Sequence, residues 1–229
     1  MKNLKNQLLA PMTFCTVMIC AVSVRAINVN PGDSLSISGT TELARPELAG
    51  PIIADVFIPF SFTDTLTGGL ISGTLQNRVV QEASGTLDFY YRVIQDPNSG
   101  GPVGAVRTSG FDLLSTDCDF RLDGSGTVAP INITRFSGIA SGDLNFSFTL
   151  GGGAPVLAGE SSYFMFIKTT ATSYDQNGLT DISADFGAGL EGISLPLMTF
   201  EPATVPEPST LALLAIGSLA MYRLIRRKN

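Results

Sequence analysis

The strongest constraint on the fold of this chain is a two-residue rhythm of apolar side chains along its middle. In residues 85–94, Leu87, Phe89, Tyr91 and Val93 fall on one side of an extended chain, and Thr86, Asp88, Tyr90 and Arg92 on the other. In residues 143–150, Leu144, Phe146, Phe148 and Leu150 oppose Asp143, Asn145, Ser147 and Thr149. A helix turns about 100° per residue and would scatter both sets, whereas a strand sends successive side chains to opposite faces. Such segments bury one face and present the other to water, the habit of antiparallel sheets. Residues 162–169 are apolar on both sides, with Phe164 and Phe166 against Tyr163, Met165 and Ile167, which suits a central strand.

Further strands are expected at 35–38, 52–62, 70–80, 103–114, 127–134, 179–184 and 193–200. Turn residues separate them: Asp96-Pro97-Asn98-Ser99-Gly100-Gly101, Gly151-Gly152-Gly153 and Asp175-Gln176-Asn177-Gly178. The chain is 15% charged and holds 24 glycines in 229 residues, a composition that favours strands and turns over long helices. The expected fold is all-β: an antiparallel two-sheet β-sandwich, jelly-roll-like, with a signal helix before it and a transmembrane helix after it.

The two ends follow different rules. The N-terminus has basic Lys2 and Lys5, an apolar run from Leu8 to Val24, and then Val24-Arg25-Ala26. This is the layout of a secretory signal peptide, with cleavage expected after Ala26. At the C-terminus, Val205-Pro206-Glu207-Pro208-Ser209-Thr210 precedes an apolar segment, and Arg223, Arg226, Arg227 and Lys228 follow. The prolines hold the approach extended. As a helix, residues 210–225 would reach about 24 Å at ~1.5 Å per residue, short of a ~30 Å hydrocarbon core. Arg223 would then snorkel, or the bilayer thin. The cations would hold the end in the cytoplasm by the positive-inside rule, leaving the body outside. The expected organisation is therefore a signal peptide (1–26), a sandwich body (27–200), and a linker with sorting tail (201–229), whose motif is 205–210, span 210–225 and basic end 223–228.

Those three C-terminal parts, in that order, resemble the PEP-CTERM sorting signal, the substrate tail of exosortase systems. The resemblance implies general secretion, transient membrane anchoring, and recognition of Pro206, Glu207 and Pro208 by a membrane-embedded cysteine protease. Cleavage and release to the cell surface or beyond would follow, in bacteria that make extracellular polysaccharide. It implies a stop-transfer role for Arg223, Arg226, Arg227 and Lys228. It assigns nothing to the body, because such tails are joined to unrelated domains.

For the body, charge and missing residue types do the excluding. Between Ile27 and Thr204 there are seven basic and nineteen acidic residues, an excess of about twelve negative charges. That argues against nucleic acid, whose binding depends on neutralised phosphates. The chain has no histidine, which excludes Ser-His-Asp and Cys-His catalysis within it. Cys15 and Cys20 lie in the apolar leader, so Cys118 alone remains and cannot form an internal disulfide. It reads as a small, partly buried apolar residue; a bond to another chain or a reactive role is the alternative.

Three candidate sites remain. Asp117, Asp119 and Asp123 surround Cys118 in what reads as an acidic turn, with calcium as the possible cofactor; Arg121 in the third ligand position breaks the EF-hand pattern. Tyr90 and Tyr163 lie opposite the main apolar faces and could stack on sugars, with burial between sheets as the plainer expectation. Paired carboxylates could hydrolyse glycosides, but nineteen acids guarantee such pairs and no motif selects one. The leading expectation is a non-enzymatic structural or adhesive protein of the exopolysaccharide layer or biofilm. A carbohydrate-binding module is the rival, and a carboxylate-only glycoside hydrolase the third reading.

Overall fold

In the computed structural model, which describes residues 27–112, 114–184 and 192–203, the alternating segments form eleven strands in two antiparallel sheets. The strands are β1 (Ser34–Ser36), β2 (Ile52–Thr63), β3 (Leu70–Gln81), β4 (Leu87–Gln95), β5 (Ala105–Thr108) and β6 (Asp117–Arg121). They continue with β7 (Asn132–Arg135), β8 (Leu144–Ser147), β9 (Phe164–Lys168), β10 (Tyr174–Ser183) and β11 (Leu197–Pro202). One sheet runs β2-β3-β4-β9-β6, the other β1-β7-β8-β5-β10-β11. After β1, at the edge of the six-stranded sheet, the chain runs as a meander through β2, β3 and β4. It then crosses between sheets repeatedly, so that β9 lands between β4 and β6, and β10 beside β5. Pro59 is tolerated inside β2 because β2 is an edge strand.

The inward rows meet in a single core. Leu75, Val79, Phe89, Tyr91, Val93, Met165 and Ile167 come from the five-stranded sheet, and Val106, Ile133, Phe146 and Ile182 from the other; all are fully buried. In the six-stranded sheet, Leu35, Ile133, Phe146, Val106 and Ile182 sit opposite one another across five strands. Each large apolar side chain removed from water contributes about 1.5–3 kcal/mol, which presses the sheets together without fixing their alignment.

Alignment comes from polar groups buried within that core. Thr180 Oγ1 donates to Thr108 Oγ1 (3.0 Å), Thr108 to the Tyr91 hydroxyl (3.2 Å), and Tyr91 to the carbonyl of Phe200 (3.2 Å). Because the Thr180 hydrogen is committed to Thr108, Thr199 donates to Thr180 across their 2.9 Å contact. Asn77 on β3 accepts from the Phe200 N–H at 2.6 Å and donates to the Tyr90 carbonyl at 3.1 Å. The last strand is thereby stapled to the middle of the opposite sheet. At one end of the sandwich, buried Arg135 donates to the carbonyls of Ser141, Val29, Leu114 and Phe111 and to the Thr116 hydroxyl.

Several segments depart from expectation for identifiable reasons. Residues 117–121 form strand β6, with Cys118 and Phe120 in the core, rather than an acidic turn. The Asp175–Gly178 turn signal lies inside β10, where the pairing with β11 shifts register as in a bulge. A Cβ on Gly178 would approach Glu201 Cβ at 2.9 Å, so glycine there permits close approach rather than reversal. The strand expected over 103–114 shortens to β5, because Gly110 takes φ of 98° and leads the chain away. Strand β11 continues to Pro202, two residues into the expected linker, and the Ala203 N–H still donates to Ser173. The signal helix and transmembrane helix fall outside the described residues.

Candidate functional site

The outer face of the five-stranded sheet carries the side chains opposite the core, and pairing register arranges them in rows. One row is Asp55, Arg78, Tyr90, Phe166 and Asp119. The next places Phe57, Gln76 and Arg92 side by side, with Phe164 and Arg121 paired beyond them. On the other side lie Val80, Asp88, Lys168 and Asp117. Part of this face is roofed by the 3-10 turn Pro46–Ala49, whose Leu48 joins Val80, Tyr90, Phe164 and Phe166 in a second apolar cluster. Arg121 Nη1 ties down the roof by donating to the Leu48 carbonyl at 2.9 Å.

Between roof and sheet is a cleft of about 420 Å³, lined by Leu48, Arg78, Tyr90, Arg121, Ser125 and Phe164 among others. Its floor is aromatic and its walls are cationic. Tyr90 stacks edge-on to Phe164, centroids 6.2 Å apart. The Arg78 guanidinium lies 4.5 Å over the Phe164 ring, and Arg92 lies 5.6 Å from the same ring. Arg78 is held by Asp55 at 2.7 Å, and Arg121 by Asp123 at 2.6 Å and Glu42 at 3.2 Å. The buried Tyr90 hydroxyl sits beside Arg121 without a well-formed hydrogen bond, and burial pushes its ionisation upward.

The three aspartates proposed for calcium do not converge on one point. Asp117 accepts from the Ile27 N–H at 2.8 Å and is ion-paired to buried Arg45. Asp119 Oδ1 accepts from the Gly39 and Phe120 N–H groups, each at 2.9 Å; burial raises this carboxyl despite those bonds. Asp123 pairs with Arg121 and accepts from the Glu42 N–H. Burial works to raise its carboxyl, and these partners outweigh that and hold it low. Among the described residues no three acidic or cysteine side chains are grouped to hold a metal ion. Cys118 is fully buried, and desolvation pushes its thiol upward, away from the reactive thiolate.

The two candidate tyrosines also lie elsewhere than on open surface. Tyr90 does point to the outer face but is 3% exposed, covered by the 45–50 segment. Tyr163 is half-buried against the core, its ring 5.8 Å from that of Phe120. The open aromatic on this face is Phe57, 60% exposed. Neither Phe57 nor Arg92 carries a sequence signal, since only strand register puts them on one row.

Ala26, Pro206, Glu207, Pro208, Arg223, Arg226, Arg227 and Lys228 lie outside the described residues. No helix among the described residues is long and apolar enough to cross a membrane. Residues 204–228 match the model of the PEP-CTERM protein-sorting motif, which begins directly after Ala203. That motif marks an exported protein carrying a membrane-anchored sorting signal for an exosortase. No curated protein and no solved structure matches the chain.

Proposed function

From a chain that carries a PEP-CTERM protein-sorting motif, we propose a non-enzymatic protein of the cell surface or extracellular polysaccharide layer, structural or adhesive in role. The observation that carries this reading is the junction: only Ala203 separates the end of strand β11 from the motif at 204–228. The sandwich and its address are thus adjacent, and exosortase would cut within a few residues of the last hydrogen-bonded strand. Cleavage after Ala26 at the other end would release Ile27, whose N–H is already held by Asp117. The over-and-back winding from β4 to β10 is read as jelly-roll-like, an architecture that leaves two outer faces for contact with a matrix. The lack of histidine throughout the chain, and the capture of Asp117 and Asp123 by arginines, support a body that binds rather than turns over its partner. No metal or other cofactor belongs to this reading.

Replacing Pro206, Glu207 and Pro208 together with alanine tests the sorting step in the native host. Export should persist, with the chain accumulating in membranes instead of medium. Release of the triple variant as efficient as wild type would overturn exosortase recognition of these residues.

A further inference from the structure

The seven cations of the body, all within the described residues, show one exception. Arg45, Arg78, Arg107, Arg121 and Lys168 each pair with a carboxylate. Arg135 is saturated by backbone carbonyls and one hydroxyl. Arg92 has no carboxylate: its Nη2 donates to Ser161 Oγ at 3.0 Å, and its buried Nε has no partner. Over the same phenylalanine ring lies another cation, Arg78, and its charge bears on Arg92. Burial, and then Arg78, pull the Arg92 guanidinium below its ordinary range. In a body with nineteen acids against seven bases, a guanidinium with no ion pair of its own and a cation beside it points to an anion supplied from outside.

The row containing Arg92 narrows the chemistry of that anion. Gln76 is buried between Arg92 and Phe57, its amide held by Asp55 at 3.0 Å, so it presents little to a ligand. Phe57 on its far side is a bare ring. The two lie two strand spacings apart, about 10 Å, room for a ring-shaped ligand carrying a charged group at one end. A guanidinium matches a planar carboxylate, and an exposed phenyl face matches the C–H face of a sugar.

We infer that Arg92 and Phe57 bind an acidic saccharide on the outer face of the five-stranded sheet, a uronate carboxylate at Arg92 and a sugar ring on Phe57. This rests on the body working among extracellular polysaccharides. The body's negative charge does not forbid it, because charges beyond about 8 Å are largely screened at physiological salt.

The test is calorimetric titration of the full-length protein in mild detergent, at neutral pH and physiological salt, with a tetrameric oligo-uronate and its carboxyl-reduced neutral counterpart. The expected result is saturable binding of the acidic oligomer alone, weakened at least tenfold by Arg92→Gln and severalfold by Phe57→Ala. Absence of saturable binding, equal binding of the neutral oligomer, or binding unmoved by both substitutions overturns the proposal. Loss with Arg92→Gln while Phe57→Ala stays silent overturns the sugar assignment, leaving an adventitious anion. If Arg92→Gln fails to fold, Phe57→Ala at its exposed site decides the matter. Release in the host is read separately, so this site and the sorting reading fail independently.

Discussion

Asp88 stands on the outer face of β4 with both carboxyl oxygens buried and no backbone or cationic donor bonded to either. Burial first, and then neighbouring Glu82, raise its pKa to about 9, against smaller opposing pulls from Lys168 and Arg45. Lys168 is itself ion-paired to Glu82, which leaves Asp88 to keep its proton. Between about pH 4 and pH 9 the folded chain holds this proton while the unfolded chain has lost it, so stability falls as pH rises through that window. Asp119, Asp181 and Glu201 are raised as well and add to the same slope. The informative quantity is therefore a difference: Asp88→Asn should flatten the wild-type decline between pH 5 and pH 8 and raise Tm at pH 8 by about 4 °C or more. Thermal unfolding of both proteins across that range measures it. An unchanged slope would mean that Asp88 is ionised in the fold. At this scale the sequence was least informative, because Asp88, Phe57 and Arg92 acquire their properties from cross-strand neighbours that no local pattern encodes.

Among elements, β11 does more than its six residues suggest. Through Phe200 it supplies both backbone partners of the staple, accepting from Tyr91 and donating to Asn77, and through Thr199 it heads the threonine relay. Ending the chain after Ala203 should leave one cooperative unfolding transition. Ending it after Pro196 should abolish that transition, because the Asn77 carbonyl and the Tyr91 hydroxyl would be buried with unmet bonds at about 1–3 kcal/mol each. Denaturant unfolding followed by near-ultraviolet circular dichroism distinguishes the two, and a cooperative transition in the shorter chain would contradict the role given to β11. Strands such as β4 and β9 were legible because their alternation, or their apolar character on both faces, matches their final burial. Strand β6 was misread for a physical reason: Asp117, Asp119 and Arg121 look like a solvated turn, yet the roofing segment and its arginine cover them. The 175–178 signal misled likewise, since glycine chosen for close approach to Glu201 resembles glycine chosen for a turn.

At the scale of the whole molecule, address and body differ in legibility. The sorting tail is short, linear and read by its order of parts, so the sequence alone carries it, and the motif at 204–228 agrees. The two-sheet architecture was equally open to inspection, because alternation along the strands forces paired sheets with a shared core. The ligand-facing surface was not, since it depends on which strands neighbour one another after the chain has crossed between sheets. On the proposed reading, a folded sandwich is delivered outside the cell and freed from its anchor. Intact mass spectrometry of the protein from medium and membrane fractions of the native host tests it most directly. The expected result is a released species that begins at Ile27 and ends close to Pro206. A membrane-bound species retaining Leu211 to Asn229, with none in the medium, would contradict it.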